Sequence, residues 1–312
     1  MSNDTLIGID CGATKIMVQS GARDKSLDKV IPGKIHSEFF YNQNPNWNNN
    51  FKPVPIEIQK KQLEEGKISL TKSEISQGKA FIQSVNKVLS LFKSYKTGIC
   101  FPGVKDNNGI IIMANGPRIP TLKSKLQKKG KILNDSDCCL KGEWKSTIGK
   151  MQDQTNCVYV GGGTGIADGV IMDGKLIDPN KTIQYKRAWE LKSVNGKSVE
   201  SLLSPGGILK NYNERFKRNF TRLDEISNQK EFMFFMNLAL EGFSTLIENR
   251  INFFNINGHE IHRIIIGQRL GSFLEKCDNS LKNMFQSVTS IPIVYSSDRR
   301  TAALGAIWDI SC

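Results

Sequence analysis

Short apolar runs that end in glycine-containing turns recur along the chain. Residues 6–9 are apolar and lead into a polar, glycine-containing turn, and residues 157–160 lead into a run of glycines before the apolar pattern resumes. Apolar runs broken by glycine are typical of strands that turn back as hairpins. The pattern predicts three antiparallel strands over 5–40, with turns near Ser20-Gly21 and Pro32-Gly33, and further strands at 97–101, 109–113, 156–176, 262–267 and 291–295.

Other segments carry apolar residues three and four positions apart, the spacing of one helix face. This spacing predicts helices over 74–95 and 232–254, and further helices over 271–287 and from about Asp298. Between the first strands and the first helix, residues 41–73 are polar and rich in Asn and Pro. We interpret this stretch either as an insertion that folds over an active cleft or as an exposed loop.

Length and composition are those of a globular protein. The 312 residues, 39% hydrophobic and 23% charged, suit two domains of about 150 residues each. No apolar run approaches the ~18 residues of a membrane span. Asp4, Asp10 and Lys15 interrupt the first twenty residues, so we expect no signal peptide, no membrane association and a cytoplasmic location.

The cysteine spacing and the composition of the basic run argue against disulfides, a structural zinc site and a nucleic-acid partner. The seven cysteines are scattered without a C-x-x-C pair, which argues against disulfides and against a structural zinc site. The net charge of +13 raises a nucleic-acid hypothesis, and the densest basic run is residues 123–131. That run lacks interleaved aromatic residues, so we interpret it as a solvated helix face and expect no nucleic-acid partner.

The two glycine turns carry groups suited to a phosphate chain. In the first, Asp10 can hold a hydrated Mg²⁺, Gly12 lets backbone N–H groups approach phosphate, and Thr14 and Lys15 add a donor and a positive charge. In the second, Gly162-Gly163-Thr164-Gly165 again presents bare backbone. Taken alone, the first turn could equally be an ordinary hairpin turn, and the second could be a flexible loop. If the two turns face each other across a cleft, they would clamp a polyphosphate from both sides. Neither is a P-loop.

These pieces, taken in order, resemble the ROK family of sugar kinases within the sugar kinase, Hsp70 and actin superfamily. The resemblance covers nearly the whole chain. It rests on Asp10 to Lys15, Phe101-Pro102-Gly103-Val104, Asn134-Asp135, Gly161 to Gly165, Ile264-Ile265-Ile266-Gly267 and Ala302-Ala303-Leu304-Gly305-Ala306. It implies an α/β, two-domain actin-like ATPase (duplicated ribonuclease-H-like) fold. The expected lobes are residues 1–116 plus 298–312, with the first phosphate hairpin, and 117–297, with the catalytic Asp and the second hairpin.

The resemblance also implies roles for individual residues. Asp135 corresponds to the family's catalytic base, although an Asp at a helix start is commonly an N-cap, and Asp137 is the alternative if the register slips. The neighbouring Asn134 is assigned to sugar binding. Asn115 corresponds to a substrate loop, with a plain Asn-Gly turn as the alternative. The remaining assignments are Glu190 and Glu200 for the sugar, and Gly267 with the two glycine turns for the nucleotide.

Three departures from the family mark the chain as divergent. Many ROK proteins bind zinc through a His and a cysteine cluster after the second phosphate loop, but residues 176–208 contain no Cys or His, so no zinc is expected. The Gly and His that usually flank the family's Glu are missing around Glu190. The strand ending at Gly267 continues as Gln268-Arg269 instead of further glycines.

We therefore expect ATP- and Mg²⁺-dependent phosphorylation of a hexose or amino-hexose hydroxyl, with lobes that close on the sugar. The alternatives are a catalytically silent sugar-sensing or partner-binding relative, and a superfamily member acting on a non-sugar acceptor. Small-molecule sugar and nucleotide are the expected partners, and a homodimer is compatible with this interpretation. A base has no purpose in a sensor, so Asp135 favours the kinase.

Overall fold

The computed structural model describes residues 5–127, 131–179 and 181–311. Contacts divide the chain into two compact units: unit 1 comprises Met1–Gly149 with Arg300–Cys312, and unit 2 comprises Lys150–Arg299. The first boundary therefore lies at 149/150, not at the expected 116/117, and the second at 299/300 instead of 297/298. Residues 117–149 join unit 1 because a strand and a helix within them complete its sheet and its helical face.

Unit 1 is a five-stranded sheet covered by helices. Its elements are β1 (Leu6–Cys11), β2 (Lys15–Asp24), β3 (Lys29–Phe40), α1 (Ile56–Glu64), α2 (Lys72–Leu91), β4 (Thr97–Phe101), β5 (Val104–Lys105), β6 (Ile110–Ile112), α3 (Leu122–Lys125), β7 (Ile132–Asn134) and α4 (Asp135–Lys145). The strand order is β3-β2-β1-β4-β7, with β1, β2 and β3 antiparallel and β4 and β7 parallel to β1. β5 and β6 form a separate two-stranded sheet.

The last helix of unit 1, α11 (Thr301–Ser311), packs backbone to backbone against the unit 1 sheet. A Cβ on Gly8 of β1 would collide with the carbonyl oxygen of Ala303, and a Cβ on Gly98 of β4 would collide with that of Ala306. Glycine is required at both positions because no side chain fits between the helix and the sheet. The residues at the end of the described chain thus belong to the core of the first strands.

The first three strands form as predicted, but their turns lie elsewhere. β2 continues through Ser20-Gly21 and β3 contains Pro32-Gly33, so neither pair makes a turn. Position 21 within the sheet requires glycine because a Cβ there would come within 2.9 Å of the Ile31 carbonyl oxygen. The register shift between Gln19 and Gly21 accommodates this close approach.

Residues 41–73 are fixed to unit 1 by packing and hydrogen bonds. Tyr41 is buried and stacks against Trp47, with ring centroids 4.7 Å apart, and against Phe81 of α2, 5.0 Å apart. The Asn44 side chain donates to the Ala80 carbonyl oxygen at 2.9 Å. These contacts dock residues 41–47 onto unit 1, and most side chains in the rest of the stretch are exposed.

Unit 2 repeats the arrangement of a hairpin beside parallel strands. Its elements are β8 (Cys157–Gly162), β9 (Ile166–Met172), β10 (Lys175–Leu176), α5 (Val199–Leu203), α6 (Pro205–Phe216), α7 (Leu223–Ile226), α8 (Phe232–Ile256), β11 (Arg263–Gly267), α9 (Gln268–Lys276), α10 (Asn279–Gln286) and β12 (Ile293–Tyr295). The strand order is β10-β9-β8-β11-β12, with β8 antiparallel to β9 and parallel to β11. Both units are therefore α/β, as predicted.

The helices of unit 2 follow the predicted apolar spacing with one correction. In α8, Met236, Phe243, Ile247 and Phe254 are buried in the core, and Leu240 and Ile251, at the same spacing, pack against it. The single helix predicted over 271–287 is instead two helices, because Asp278 caps the second by accepting from the Leu281 N–H. An Asp at this position ends one helix and starts the next.

A buried ion pair holds the segment that follows β10. Arg250 of α8 and Asp168 of β9 are both buried and 2.5 Å apart. The same carboxylate accepts from the Tyr185 hydroxyl and from the Ala188 backbone N–H, and Arg250 also donates to the Lys186 carbonyl oxygen. One charged cluster thus fixes residues 185–188 to the sheet and to α8.

Breaking this pair from one side is expected to destabilise unit 2. Arg250→Met leaves the Asp168 carboxylate buried without its cation, which costs about 3–5 kcal/mol in comparable sites. Urea unfolding monitored by circular dichroism measures the loss. The control is Arg222→Met, which removes an ion pair to Asp224 whose side chains are both exposed, and it should leave the unfolding midpoint nearly unchanged. Equal losses in the two variants would contradict a structural role for the buried pair.

Candidate functional site

The carboxyl ends of three parallel strands meet at one edge of the unit 1 sheet. Asp10 near the end of β1 pairs in register with Cys100 of β4, and Phe101 of β4 pairs with Asn134 of β7. The Cys100 thiol lies 3.7 Å from the Asp10 carboxylate. A hydrogen bond with Cys138 and burial raise the pKa of this thiol, and the negative charges of Asp10 and Asp135 raise it further. The pairing therefore brings two predicted site carboxylates to opposite sides of one buried cysteine.

Asp135 occupies the first position of α4, directly after β7. The start of the helix favours a carboxylate here, because the helix dipole is positive at its N-terminus. The Asp135 carboxylate also accepts from the Ser136 N–H at 2.8 Å. Burial raises the pKa of the Asp135 carboxyl above its ordinary value, and the positive charge of Lys105 opposes that rise. A carboxylate with a raised pKa at a strand end is suited to accept a proton.

Lys105 is a candidate site residue that the sequence analysis missed. Its ammonium group donates to the carbonyl oxygens of Phe101 at 2.7 Å and Gly103 at 2.6 Å, so the side chain folds back over the end of β4. Burial lowers the pKa of Lys105, and the charge of Asp135 opposes that shift. Its position two residues after Pro102-Gly103 is the only sequence signal that could have identified it.

The first glycine turn connects β1 and β2 with open space around it. A Cβ on Gly12 would meet only the Lys15 carbonyl oxygen, at 3.5 Å, and Thr14 is exposed. Lys15 forms an ion pair with Glu38 of β3, so its charge is shared with that carboxylate. Asp10 is partly exposed beside this turn.

The second glycine turn is enclosed by its neighbours. It joins β8 to β9, and a Cβ on Gly162 would meet Leu270 and Pro205 side chains. A Cβ on Gly163 would lie 2.7 Å from the Gln268 amide oxygen. Thr164 is exposed at the tip. The run of glycines is needed because the N-terminal ends of α6 and α9 both pack against this hairpin.

The two glutamates predicted for the sugar have different surroundings. Glu200 of α5 accepts from the Ile166 N–H at 3.2 Å, and its carboxylate fills the space beside Gly165. Burial raises the pKa of Glu200, and that N–H opposes the rise. Glu190 is exposed, and its carboxylate accepts from the Arg187 N–H. Glu200 therefore holds the second glycine turn in place, whereas Glu190 caps a short helical turn.

The end of β11 carries the segment in which Gln268-Arg269 replaces the further glycines expected from the resemblance. Gly267 pairs with Gly161, and the Tyr159 ring lies across both, since a Cβ on Gly267 would come within 2.7 Å of that ring and one on Gly161 within 2.8 Å. Gln268 follows with a φ of 58°, in the left-handed region. A residue other than glycine, asparagine or aspartate in that conformation carries backbone strain, which concentrates at functional sites.

The predicted site residues divide between the units. Unit 1 holds Asp10, Gly12, Thr14, Lys15, Asn115, Asn134 and Asp135, and unit 2 holds Gly162 to Gly165, Glu190, Glu200 and Gly267. The placement of Asp135 in unit 1 corrects its assignment to the second lobe, because β7 pairs with β4. Asn115 is exposed in the loop after β6.

Three observations concern metals, thiols and membranes. Among the described residues, no group of three or more His, Cys, Asp or Glu is arranged to hold a metal ion. The six cysteines in the same ranges are free thiols. In the part of the chain that the structure describes, no helix has the length and apolarity of a membrane span. Of the basic run at 123–131, Lys128, Lys129 and Gly130 lie outside the described residues.

Comparison with known proteins gives a match in structure and none in sequence. No family model matches the chain, and no curated protein is detectably similar in sequence. The inorganic polyphosphate/ATP-glucomannokinase of Arthrobacter sp. strain KM aligns with a TM-score of 0.60 at 19% identity, over 99% of both chains. A ROK family glucokinase from Streptomyces griseus, solved with glucose and AMPPNP, aligns with a TM-score of 0.56 at 14% identity, over 97% of both.

A ROK family transcriptional regulator, a homologue of the E. coli MLC protein, also aligns, with a TM-score of 0.58 at 12% identity. The alignment covers 99% of this chain and 78% of the regulator. At these identities the likeness concerns the fold. The fold inferred from the sequence is therefore confirmed, and the chain has the two-domain, actin-like ATPase fold of the ROK proteins, in a divergent form.

Proposed function

We propose that this protein transfers the terminal phosphoryl group of ATP to a hydroxyl of a hexose or amino-hexose. The observation that carries the proposal is Asp135, a carboxylate with a raised pKa at the strand edge that also holds Asp10. The acceptor oxygen forms a bond to the γ-phosphorus, the bond from that phosphorus to the leaving oxygen of ADP breaks, and the hydroxyl proton passes to Asp135.

The neighbouring residues of unit 1 prepare this carboxylate and the acceptor. Lys105 keeps Asp135 ionised at lower pH than burial alone would allow, because it opposes the rise in pKa. Asn115 and Asn134 offer amide groups that bind and orient sugar hydroxyls. Asp10 fits Mg²⁺ because a single partly exposed carboxylate, completed by phosphate and water oxygens, is a usual donor set for that ion. When bound, Mg²⁺ neutralises charge on the phosphates.

The second glycine turn, in unit 2, is suited to the phosphates of a nucleotide. Thr164 is exposed at its tip, and Glu200 holds its backbone through Ile166. The glycines leave no side chain to block a phosphate group. The glucokinase solved with glucose and AMPPNP supports a nucleotide donor and a sugar acceptor.

A second candidate is a sugar-binding protein without catalysis, which the likeness to a ROK transcriptional regulator supports. The two candidates differ in whether ADP is released. A coupled ADP-release assay over a panel of hexoses and amino-hexoses, with ATP and Mg²⁺, tests the kinase directly. Sugar binding without ADP release from any member of the panel would favour the sensor.

Replacing the base is expected to stop transfer while sugar binding persists. Asp135→Asn should lower turnover by roughly 10²–10⁴-fold, because general-base catalysis contributes that factor. Steady-state kinetics and calorimetric titration with the sugar measure the two effects. The control Asp137→Asn, two residues later in α4, should keep near-normal turnover. Loss of turnover in the control alone would place the base at Asp137.

The charge of Lys105 is expected to set the acid limb of the pH profile. The base works only when ionised, so activity falls as pH drops through the pKa of Asp135. Removing the cation in Lys105→Met lets burial raise that pKa further, and the acid limb of kcat/KM should move to higher pH. The exposed Lys87→Met on α2 is the control. An unmoved limb in Lys105→Met would mean that Asp135 is not the titrating base.

A further inference from the structure

The side chain of Gln59 pairs with the backbone of Met113 as a neighbouring strand would. Gln59 lies on α1 and is 1% exposed. Its amide oxygen accepts from the Met113 N–H at 2.8 Å, and its amide nitrogen donates to the Met113 carbonyl oxygen at 3.0 Å. The same nitrogen donates to the Val54 carbonyl oxygen at 2.6 Å. The amide oxygen and nitrogen of this side chain thus hold Met113, the residue directly after β6, and the nitrogen also holds Val54.

Five residues further on, Arg118 fixes the chain again. Its guanidinium is buried and binds Glu74 of α2 through two bonds, of 2.8 Å and 2.9 Å. It also donates to Gln62 of α1 at 2.7 Å and to the Ser69 carbonyl oxygen at 3.0 Å. The bidentate pair fixes both the position and the orientation of the guanidinium.

The loop between these two anchors is residues 114–117, which contains Asn115. Only four residues separate Met113 from Arg118, and both ends are held by the segment that includes α1 and the start of α2. Asn115 is exposed while Gly116 and Pro117 are buried. A short loop with fixed ends has few conformations, so the direction of the Asn115 side chain depends on the anchors.

We propose that Gln59 is a positioning residue that holds Asn115 in place for the acceptor sugar, with Arg118 fixing the other end of the loop. Residues 41–73 then act as a fixed support that sets sugar affinity. The proposal rests on the proposed kinase function, in which Asn115 binds a sugar hydroxyl. Gln59 itself touches no substrate and acts through Met113.

The chain offers a matched control in α2. Gln77 is 2% exposed, and its amide accepts from the Asn48 N–H at 3.0 Å and donates to the Asn48 carbonyl oxygen at 3.2 Å. The bonding pattern is the same as that between Gln59 and Met113. Asn48 lies outside the 114–117 loop, so the loss of Gln77 removes equivalent bonds without freeing Asn115.

The experiment compares Gln59→Met with Gln77→Met, because methionine keeps the length of glutamine and removes its hydrogen bonds. With the sugar phosphorylated fastest by the wild type, Gln59→Met should raise the KM for sugar by roughly tenfold or more, since small misplacements in a binding site have large effects. Its KM for ATP should stay within about twofold. Gln77→Met should leave both KM values within about twofold, with a similar fall in Tm.

Hydrogen exchange gives a readout that does not depend on activity. The amides of residues 113–116 should exchange faster in Gln59→Met than in Gln77→Met. If Gln59→Met fails to fold, Gln59→Asn replaces it, because asparagine keeps an uncharged amide but is one methylene too short to make the same bonds to Met113.

The outcomes separate this proposal from the kinase proposal. An unchanged KM for sugar in an active Gln59 variant, or equal changes in the Gln77 variant, would overturn the positioning role and leave the kinase standing. Absence of phosphorylation of every hexose by the wild type would overturn both. A raised KM for sugar in the Gln59 variant alone, with faster loop exchange, supports it.

Discussion

The parallel pairing of β4 with β1 and with β7 is the constraint on which the unit 1 site depends. Parallel neighbours end at the same edge, so residues separated by 125 positions in sequence, Asp10 and Asp135, come to flank Cys100. A slip of one residue in either pairing would turn these side chains to the opposite face. The glycines facing α11 in β1 and β4 help to fix that register, because only at those positions can the helix backbone approach the sheet.

Unit 2 uses glycine for a different purpose. Its hairpin is surrounded by the first turns of α6 and α9 and by Glu200, so the bare backbone is needed for packing as well as for access. Gln268, held at a positive φ, directly follows the strand that pairs with this hairpin. A strained backbone conformation persists only where the surrounding structure holds it, so the neighbours of Gln268 must fix its backbone. The altered segment after Gly267 is therefore an ordered feature of the fold.

Local patterns in the sequence predicted most elements and indicated candidate site residues in the two glycine turns and at the start of α4, but they did not predict the contacts between distant segments. The strand–turn–strand hairpins, the long helix α8 and the position of Asp135 at a helix start all follow from periodicity and turn chemistry. The turns of the first strands were predicted wrongly because Gly21 serves close packing against Ile31 and not reversal of the chain.

Lys105, Gln59 and the pair of Asp168 with Arg250 were missed for a common reason. Each acts through a partner far away in sequence, and single buried polar residues carry no periodic signal. The domain boundary was misplaced for a related reason: the pairing of the three-residue strand β7 with β4 is too short to be recognised in sequence, yet it carries residues 117–149 into unit 1.

The discontinuity of unit 1 has a consequence for how the chain folds during synthesis. Unit 2 is one uninterrupted segment, so all of its core residues are available once residue 299 has emerged from the ribosome. Unit 1 must wait for α11, whose backbone covers Gly8 and Gly98, before its first strands are fully buried. Domains commonly fold in the order of their synthesis, from the N-terminus. The sheet face that packs against α11 therefore stays uncovered from the synthesis of β1 and β4 until residues 301–311 have been made.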